Sequence, residues 1–395
     1  MSPARPPAAA DLEQARALAA RLAPTAPTEA VALADLPGRR LAETVTARAP
    51  VPPFTNSAMD GYAVRAADTP GALRLRGESA AGRPGAGALS PGETWRISTG
   101  APLPPGADAV VRQEDARVEA DLIHIAQPIS PGNDVRHAGE DLAAGAPVLP
   151  AGHIVTPHEV GVIAAAGHAR VACHARITVA VLATGDELAE PGTSLGDGVI
   201  YESNTHGICA QARAAGARIG AVVRVGDNRP ATEDAVRELL GGDEPPTLLV
   251  TLGGLSVGPH DHIRPALAAA GVQLHMHRLR MRPGQPTAIG TRDGQVVLAL
   301  PGNPVSAAIC FHLFGRTLLG APPRWNLRLP LTVPLTKRPG LAQIVRCRIG
   351  PDGLTPLAHQ GSAAVSSLAL VDALALAPAD AGDLPAGTML SASHL

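Results

Sequence analysis

Three regimes of hydrophobic patterning divide the chain. Between Asp11 and Leu22, the residues Leu12, Ala15, Ala19 and Leu22 fall on one stripe at helical spacing, and Asp11 is placed to cap it. From about Gly71 to Pro131 short segments alternate apolar with polar residues, as in Leu73 and Leu75 against Arg74 and Arg76, between glycines and prolines. That is the pattern of a small β module. A second helical stretch, Pro157 to Ala166, follows it, so the pattern predicts a β module inserted in a helical domain. From about Val171 the signal changes to apolar runs separated by helical segments. Strands are expected over 177–183, 219–225, 247–252, 274–281 and 296–300, and helices over 204–215, 231–240, 261–267 and 304–319. Alternating strands and helices imply right-handed crossovers and a mostly parallel sheet. Residues 326–395 return to a strand-like, turn-rich pattern.

The most informative single stretch is Thr247 to Leu267, TLLVTLGGLSVGPHDHIRPAL, which reads as strand, tight loop and helix. Gly253, Gly254 and Gly258 remove side chains where the backbone turns, leaving amides free to face an anion, and Ser256 adds a hydroxyl. Asp261 is either the helix cap or a carboxylate aimed into a site. Alone this motif is weak, because such turns also serve as plain connections. It gains weight from company. TGDEL (184–188), GDN (226–228), GGLSVG (253–258), RPGQP (282–286) and PGNPVS (301–306) each follow an expected strand. Loops after the carboxyl ends of parallel strands line one crevice, which is where open α/β sheets bind ligands.

The chemistry in these loops falls into two sets. Asp186, Glu187, Asp227 and Asp261 are hard oxygen donors suited to Mg²⁺, whereas Arg278, Arg282 and the glycine-loop amides suit phosphate or another oxyanion. Each has a plainer alternative: Asp186 stabilising its own turn, Arg278 pairing with a surface carboxylate, PGNP merely starting a helix with Pro304 at its first position. His260 and His262 flank Asp261, but residues two apart on a helix do not share a face, which argues against a metal pair. Earlier in the chain Asp60, in FTNSAMDGYAV, is either a turn residue or a carboxylate presented by a tight loop. Thr99 and Gly100 end a short strand before a proline-rich loop, and Asp141 lies in the proline- and glycine-marked passage leaving the β module.

Composition narrows the class. At 45% hydrophobic and 17% charged the chain is an ordinary globular sequence, with only 2% aromatic residues, so its cores must be built from Ala, Leu, Val and Ile. A formal net charge of -2 gives no reason to expect nucleic acid or an anionic membrane as partner. The four cysteines, Cys173, Cys209, Cys310 and Cys347, are too dispersed for a zinc cluster or a disulfide framework. No apolar run approaches the roughly 20 residues needed to span a bilayer, and the N-terminus lacks a secretory core, so a cytoplasmic protein is the expectation.

Taken together and in order, FTNSAMDGYAV, ISTGAPLPPGADAVV, TGDEL, GGLSVG, RPGQP and PGNPVS closely resemble the MoeA family, the molybdopterin molybdenumtransferases also represented by the E domain of gephyrin. The resemblance covers nearly the whole chain. It implies a multidomain α/β plus β architecture: an elongated helical domain (1–50 and 136–170), an inserted β domain (51–135), a molybdopterin-binding α/β domain (171–325) and a C-terminal β-barrel (326–395). It implies an elongated homodimer with both subunits contributing to the active-site cleft. The implied reaction consumes adenylylated molybdopterin and molybdate with Mg²⁺ and releases AMP, leaving molybdenum on the dithiolene sulfurs of the pterin. Transient contacts with a molybdopterin adenylyltransferase and with apo-molybdoenzymes go with that role.

By the same resemblance Asp60, Thr99 and Asp141 face the site from the β-domain side, Glu187, Asp227 and Asp261 line the α/β cleft, and Asp186 joins them as a metal donor. Gly253, Gly254, Ser256, Gly258, Pro301, Gly302, Asn303 and Ser306 bind the pterin phosphate, with Arg278 and Arg282; Arg346 and the Ser366-Ser367 pair match further cleft positions. Arg278, Arg282 and Gln285 stand where the family commonly has lysine, Glu202 where aspartate is usual, and Val371-Asp372 where Ala-Asn is frequent. Arginine keeps charge but not point-charge geometry, and Gln285 loses the charge outright. Two alternatives stay open on these residues: an adenylyltransferase acting on molybdopterin, and a noncatalytic pterin carrier or scaffold.

Overall fold

Apolar β-branched runs too long for one exposed face must be buried on both, and a parallel sheet flanked by helices does this. In the computed structural model, which describes residues 9–255 and 261–395, the second half of the chain builds such a sheet. Its strands are β1 (Thr178–Thr184), β2 (Arg218–Val225), β3 (Leu248–Leu252), β4 (Gln273–Met276), β5 (Ala288–Arg292) and β6 (Gln295–Leu300), in the order β2-β1-β3-β6-β5-β4. The first four positions are parallel, with Val181 opposite Val250 and Val250 opposite Leu298. The connecting helices are α1 (Asn204–Ala214), α2 (Arg229–Gly241), α3 (Ile263–Ala269) and α4 (Pro304–Cys310). Leu182, Val236, Leu249, Ile263, Leu267 and Val297 form the core on one face of the sheet, each 0% exposed.

Two sequence expectations change here. The run 274–281 is not one strand: β4 stops at Met276, and Met281–Arg282 pairs instead with the C-terminal sheet. Strand β5, absent from the expected set, forms an antiparallel hairpin with β6 through Asp293 and Gly294, both at positive φ (48° and 82°). This is the asymmetric backbone that a two-residue Asp-Gly turn supplies. After α4 the chain stays helical through a π-helical segment, Phe311–Gly315, where a Cβ on Gly315 would lie 2.4 Å from the Phe311 ring.

Compact clustering divides the chain into two units. The first joins the N-terminal residues up to Glu29 and Gly38–Arg40 to His174–Leu395. The N-terminal helix Leu12–Leu22 carries the expected cap, with Asp11 accepting from the Gln14 amide at 2.8 Å and Gln14 reciprocating at 3.1 Å. With its small residues Ala15 and Ala19 both 0% exposed, the helix packs against Phe311–Leu318, and Arg16 lies 5.3 Å over the Trp325 ring.

This unit ends in a second sheet: β7 (Leu327–Pro330), β8 (Ala342–Gly350), β9 (Gly353–Pro356), β10 (Ala373–Ala377) and β11 (Met389–His394). They run in the order β8-β10-β11-β7, with Met281–Arg282 and β9 also pairing with β8. A bridge between Leu331 and Leu354 links the end of β7 to β9, around a core of Leu331, Val345, Leu354, Ala375 and Ala392.

The second unit comprises Ala30–Pro37 and Leu41–Cys173. Its six-stranded sheet orders Ala109–Arg112, Gly61–Val64, Glu93–Ile97, Gly71–Ser79, Leu122–Ile125 and Ala116–Glu119. Two short antiparallel stems, Val45–Thr46 with Pro147–Leu149 and Asn56–Ser57 with Val135–Arg136, carry the chain out to this sheet and back. Beyond them the helix Pro157–Ala165 begins with a capping box from Thr156 and Glu159 and buries Ile163 against Leu36, Leu41 and Val155. Among the described residues no helix is long and apolar enough to cross a membrane.

One buried group gives the core a pH dependence. His312 is 2% exposed, its Nε2 has no hydrogen-bond partner among the described residues, and burial with Arg316 nearby pushes its pKa down to about 4. A folded-state pKa below the unfolded value means that the unfolded chain binds the extra proton, so stability is full above about pH 6.5 and declines as pH falls towards 4. The contribution is on the order of 2–3 kcal/mol. Replacing His312 by Gln is expected to flatten the loss of denaturant midpoint between pH 7 and pH 4.5, and an unchanged pH slope would show that His312 is not its source.

Candidate functional site

At the carboxyl edge of the parallel sheet, β1, β3 and β6 end close together, and the turn after β3 is held to glycine by its positive φ and tight contacts. A Cβ on Gly253 (φ 86°) would lie 3.1 Å from the carbonyl and hydroxyl oxygens of Thr184, and one on Gly302 would lie 3.5 Å from the Gly253 Cα. Gly254 (φ 60°) meets Ile263 of α3 at 2.9 Å in the same way. The loops therefore close around a cleft of about 740 Å³ instead of spreading over the sheet. Glu187, Asp227 and Asp261 line it, with Glu202 and Asn204 from the start of α1 and Pro301, Gly302 and Asn303 from the start of α4. Asn204 Nδ2 donates to the Gly302 carbonyl at 2.6 Å, and the buried Glu202 accepts from the Thr205 amide at 2.8 Å, so α1 is fixed to the loop after β6 and capped from within the site.

Among its described lining residues the cleft has four carboxylates and no Arg or Lys. Glu187 folds back over Gly185, where a Cβ would sit 2.5 Å from its carboxylate oxygen. Asp186 is not among the lining residues. Its Oδ1 accepts from the Asp227 amide at 3.1 Å and leaves no room for a side chain at Gly226, so it fixes the turn that presents Asp227.

A neighbouring cleft of about 930 Å³ has the opposite character. Arg282, Lys337 and Arg338 line it, with Gln285, Ser306 and Gln360, and no described lining residue is acidic. The two clefts share Pro286 and Asn303. The RPGQP loop thus divides them instead of joining four others around one crevice. It is pinned from below: Thr287 Oγ1 donates to the Gly284 carbonyl at 2.7 Å, and a Cβ on Gly284 would lie 2.1 Å from Cys310 Sγ.

Models of known families match this chain in three consecutive segments: the MoeA N-terminal region (domain I and II) over residues 10–167, a probable molybdopterin binding domain over 180–321, and the MoeA C-terminal region (domain IV) over 328–393. A molybdopterin molybdenumtransferase 2 of Mycobacterium tuberculosis is 37% identical over 384 residues, covering 91% of this chain and 93% of that protein. The chain belongs to the MoeA family. A molybdopterin molybdenumtransferase of Haemophilus influenzae is 35% identical over 295 residues, 74% of this chain and 72% of its own. A molybdopterin biosynthesis moeA protein of Pyrococcus horikoshii superposes with a TM-score of 0.78 at 26% identity, covering 98% of this chain and 99% of that one.

Within this MoeA-family chain the residues singled out in the sequence separate by location. Glu187, Asp227, Asp261, Gly253, Gly254, Pro301, Gly302 and Asn303 line the acidic cleft; Arg282 and the buried Ser306 line the basic one. Asp60, Thr99 and Asp141 are exposed residues of the other compact unit, where Asp60 Oδ1 accepts from the Thr99 amide at 2.7 Å. Ser256, Gly258 and His260 lie outside the described residues. Arg278 lines neither described cleft; it is exposed, and its carbonyl accepts from the Ala10 amide at 3.0 Å.

Arg346 and Ser367 are buried supports. Arg346, 1% exposed, donates through Nη2 to the carbonyls of His359 (2.8 Å) and Gly361 (3.1 Å), and Ser367 Oγ donates to the Ala364 carbonyl at 2.5 Å. Desolvation lowers the Arg346 pKa from its ordinary value. Gln360 closes the same loop onto the Arg346 backbone, accepting at 3.0 Å and donating at 2.8 Å, which makes Arg346 the pillar of one wall of the basic cleft. Asn204, Gln360 and Lys337 were not singled out from sequence. Of these only Lys337 carries a signal there, being the single lysine among 33 basic residues.

Among the described residues no group of three or more His, Cys, Asp or Glu is arranged to hold a metal ion. The carboxylates of the acidic cleft therefore fall short of a protein cage. They fit a Mg²⁺ that takes one or two carboxylates and completes its shell from substrate phosphate and water. Arg346 is buried and its Nη2 bridges two carbonyls, while its Nε has no partner among the described residues, so Arg346→Lys is expected to cost about 1–3 kcal/mol of stability. Equilibrium urea unfolding checks this, and a variant with unchanged stability and reduced ligand affinity would place Arg346 in direct contact with ligand instead.

Proposed function

We infer that this chain is a molybdopterin molybdenumtransferase that inserts molybdate into adenylylated molybdopterin, releasing AMP and giving molybdenum cofactor. Family membership over nearly the whole chain supports the activity. The observation that carries the site assignment is the pair of adjoining clefts of opposite sign. A pyrophosphate bridged by Mg²⁺ suits the acidic cleft, where Glu187, Asp227 and Asp261 are the candidate donors; bound there, the ion would offset phosphate charge as the phosphoanhydride is cleaved. A tetrahedral oxyanion suits the basic cleft next to it. The residues shared by the clefts, Pro286 and Asn303, then separate the phosphoanhydride from molybdate by one loop, so positioning accounts for the transfer without a nucleophilic side chain.

The soft ligands for molybdenum come from the substrate. All four cysteines are buried, and burial pushes Cys310 and Cys347 up to about 12, so neither offers a competing thiolate. Asp60, Thr99 and Asp141 remain candidate catalytic residues in this reading, and the Asp60–Thr99 hydrogen bond holds the Asp60 carboxylate at its loop tip. We retain the four-part division at 1–50 with 136–170, 51–135, 171–325 and 326–395, with the first helix docked on the α/β unit. The Leu331–Leu354 bridge supports the barrel reading of the last part. The elongated homodimer, with transient visits from the adenylyltransferase and apo-molybdoenzymes, belongs to the same proposal.

Purified protein incubated with adenylylated molybdopterin, Mg²⁺ and molybdate is expected to release AMP and yield active cofactor. No AMP where a control enzyme releases it would overturn the assignment, and adenylylated product from molybdopterin and ATP would point to the adenylyltransferase. Asp60→Ala and Glu187→Ala are each expected to lower kcat by about 10- to 100-fold with unchanged unfolding curves; near-normal turnover in both would remove their assigned roles.

A further inference from the structure

The basic cleft holds charge from two separate segments of chain. Arg282 comes from the loop after the α/β strands, where Gln285, three residues on, is neutral. Arg338 comes from the C-terminal turn Thr336 to Gly340 and is exposed. Neither guanidinium has a hydrogen-bond or ion-pair partner among the described residues, and no described lining residue is acidic. Unpaired cations lining one space repel each other, and an anion entering it relieves that repulsion.

The turn bearing Arg338 is held with unusual rigidity. Lys337 is 5% exposed, and its Nζ donates to the carbonyls of Ala381 (2.7 Å), Arg338 (3.3 Å) and Ala379 (3.4 Å). Its amide donates to Asp383 Oδ1 at 2.8 Å, and Arg280 Nη2 donates to the Gly340 carbonyl at 3.1 Å. Three carbonyls converging on one atom suit an ammonium, with three donors on a single nitrogen, and not the flat fork of a guanidinium. In a chain that uses arginine at every other basic position, the one lysine stands where arginine geometry fails.

We propose that Arg338 is an oxyanion-binding residue of the basic cleft, acting together with Arg282, and that Lys337 is its positioning residue, fixing the Arg338 backbone. The ligand class is a small tetrahedral dianion, and the inference rests on the assignment of molybdate to this cleft. Gln285 lines the same space, so a lysine there returns the charge that loss of Arg338 removes.

Sodium molybdate titrated calorimetrically into the full chain tests this. Arg338→Gln, at an exposed position, is expected to weaken binding about tenfold and to raise the KM for molybdate with kcat for AMP release within about twofold. Adding Gln285→Lys to that variant is expected to restore affinity, and to do so in Lys337→Met as well. Unchanged affinity in Arg338→Gln, with clear weakening in Arg282→Gln, would overturn the role of Arg338 and leave the cleft assignment standing. No change in either single variant would overturn the cleft assignment itself. Weakening that Gln285→Lys fails to rescue would show that Arg338 acts through local structure and not through its charge.

Discussion

The convergence of three strand ends is the constraint on which the site depends. Thr184 and Gly253 end β1 and β3 with a 3.1 Å approach and a positive φ that disfavour a side chain at 253, and Gly302 after β6 lies in van der Waals range of Gly253. That closeness brings three loops within reach of one ligand. Any residue larger than glycine at 253 or 254 would meet both a positive φ and Thr184 or Ile263, so the cleft and the sheet edge are one structure. The Asp186–Asp227 and Asn204–Gly302 hydrogen bonds extend the same economy of contact: each loop is fixed by its neighbour and not by its own side chains.

Charge segregation is the second organising feature. The carboxylates line one cleft and the cations the adjoining one, with the RPGQP loop between them. In the basic cleft no described lining residue is acidic, which leaves Arg282 and Arg338 available to a ligand of opposite sign. A substrate bearing both a metal-bridged phosphoanhydride and a site for an oxyanion matches such a surface in a way that a single mixed-charge pocket would not. The supports Arg346, Lys337 and Thr287, all buried, and the half-buried Gln360 touch backbone carbonyls and amides, so their part is to fix the walls.

Much of this was legible in the sequence because the signals are local. The cap Asp11, the strand runs expected at 177–183 and 296–300, and the glycine-rich strand ends all follow from short-range patterning. Strand β5 was missed although Asp293-Gly294 is a hairpin signal, because the short run Ala288–Arg292 carries little apolar periodicity before it. The break at Met276 escaped notice because Met281 and Arg282 join a different sheet, a long-range pairing that no window reveals. The sequence also grouped RPGQP with the acidic loops, and Pro286 does line that cleft; the C-terminal turn at Thr336 to Gly340 shows that the loop faces a second space as well. For Arg346, matched to a cleft position by family resemblance, the fold adds what no window shows: a buried Nη2 that donates to the carbonyls of His359 and Gly361.

The central claim is that two adjoining clefts divide the reactants by charge. Anomalous diffraction at the molybdenum edge from crystals soaked with molybdate, AMP and Mg²⁺ tests it directly. The account predicts molybdenum beside Arg282 and Arg338 and the AMP phosphate beside Glu187, Asp227 and Asp261; molybdenum among those carboxylates, or nucleotide in the basic cleft, would contradict it.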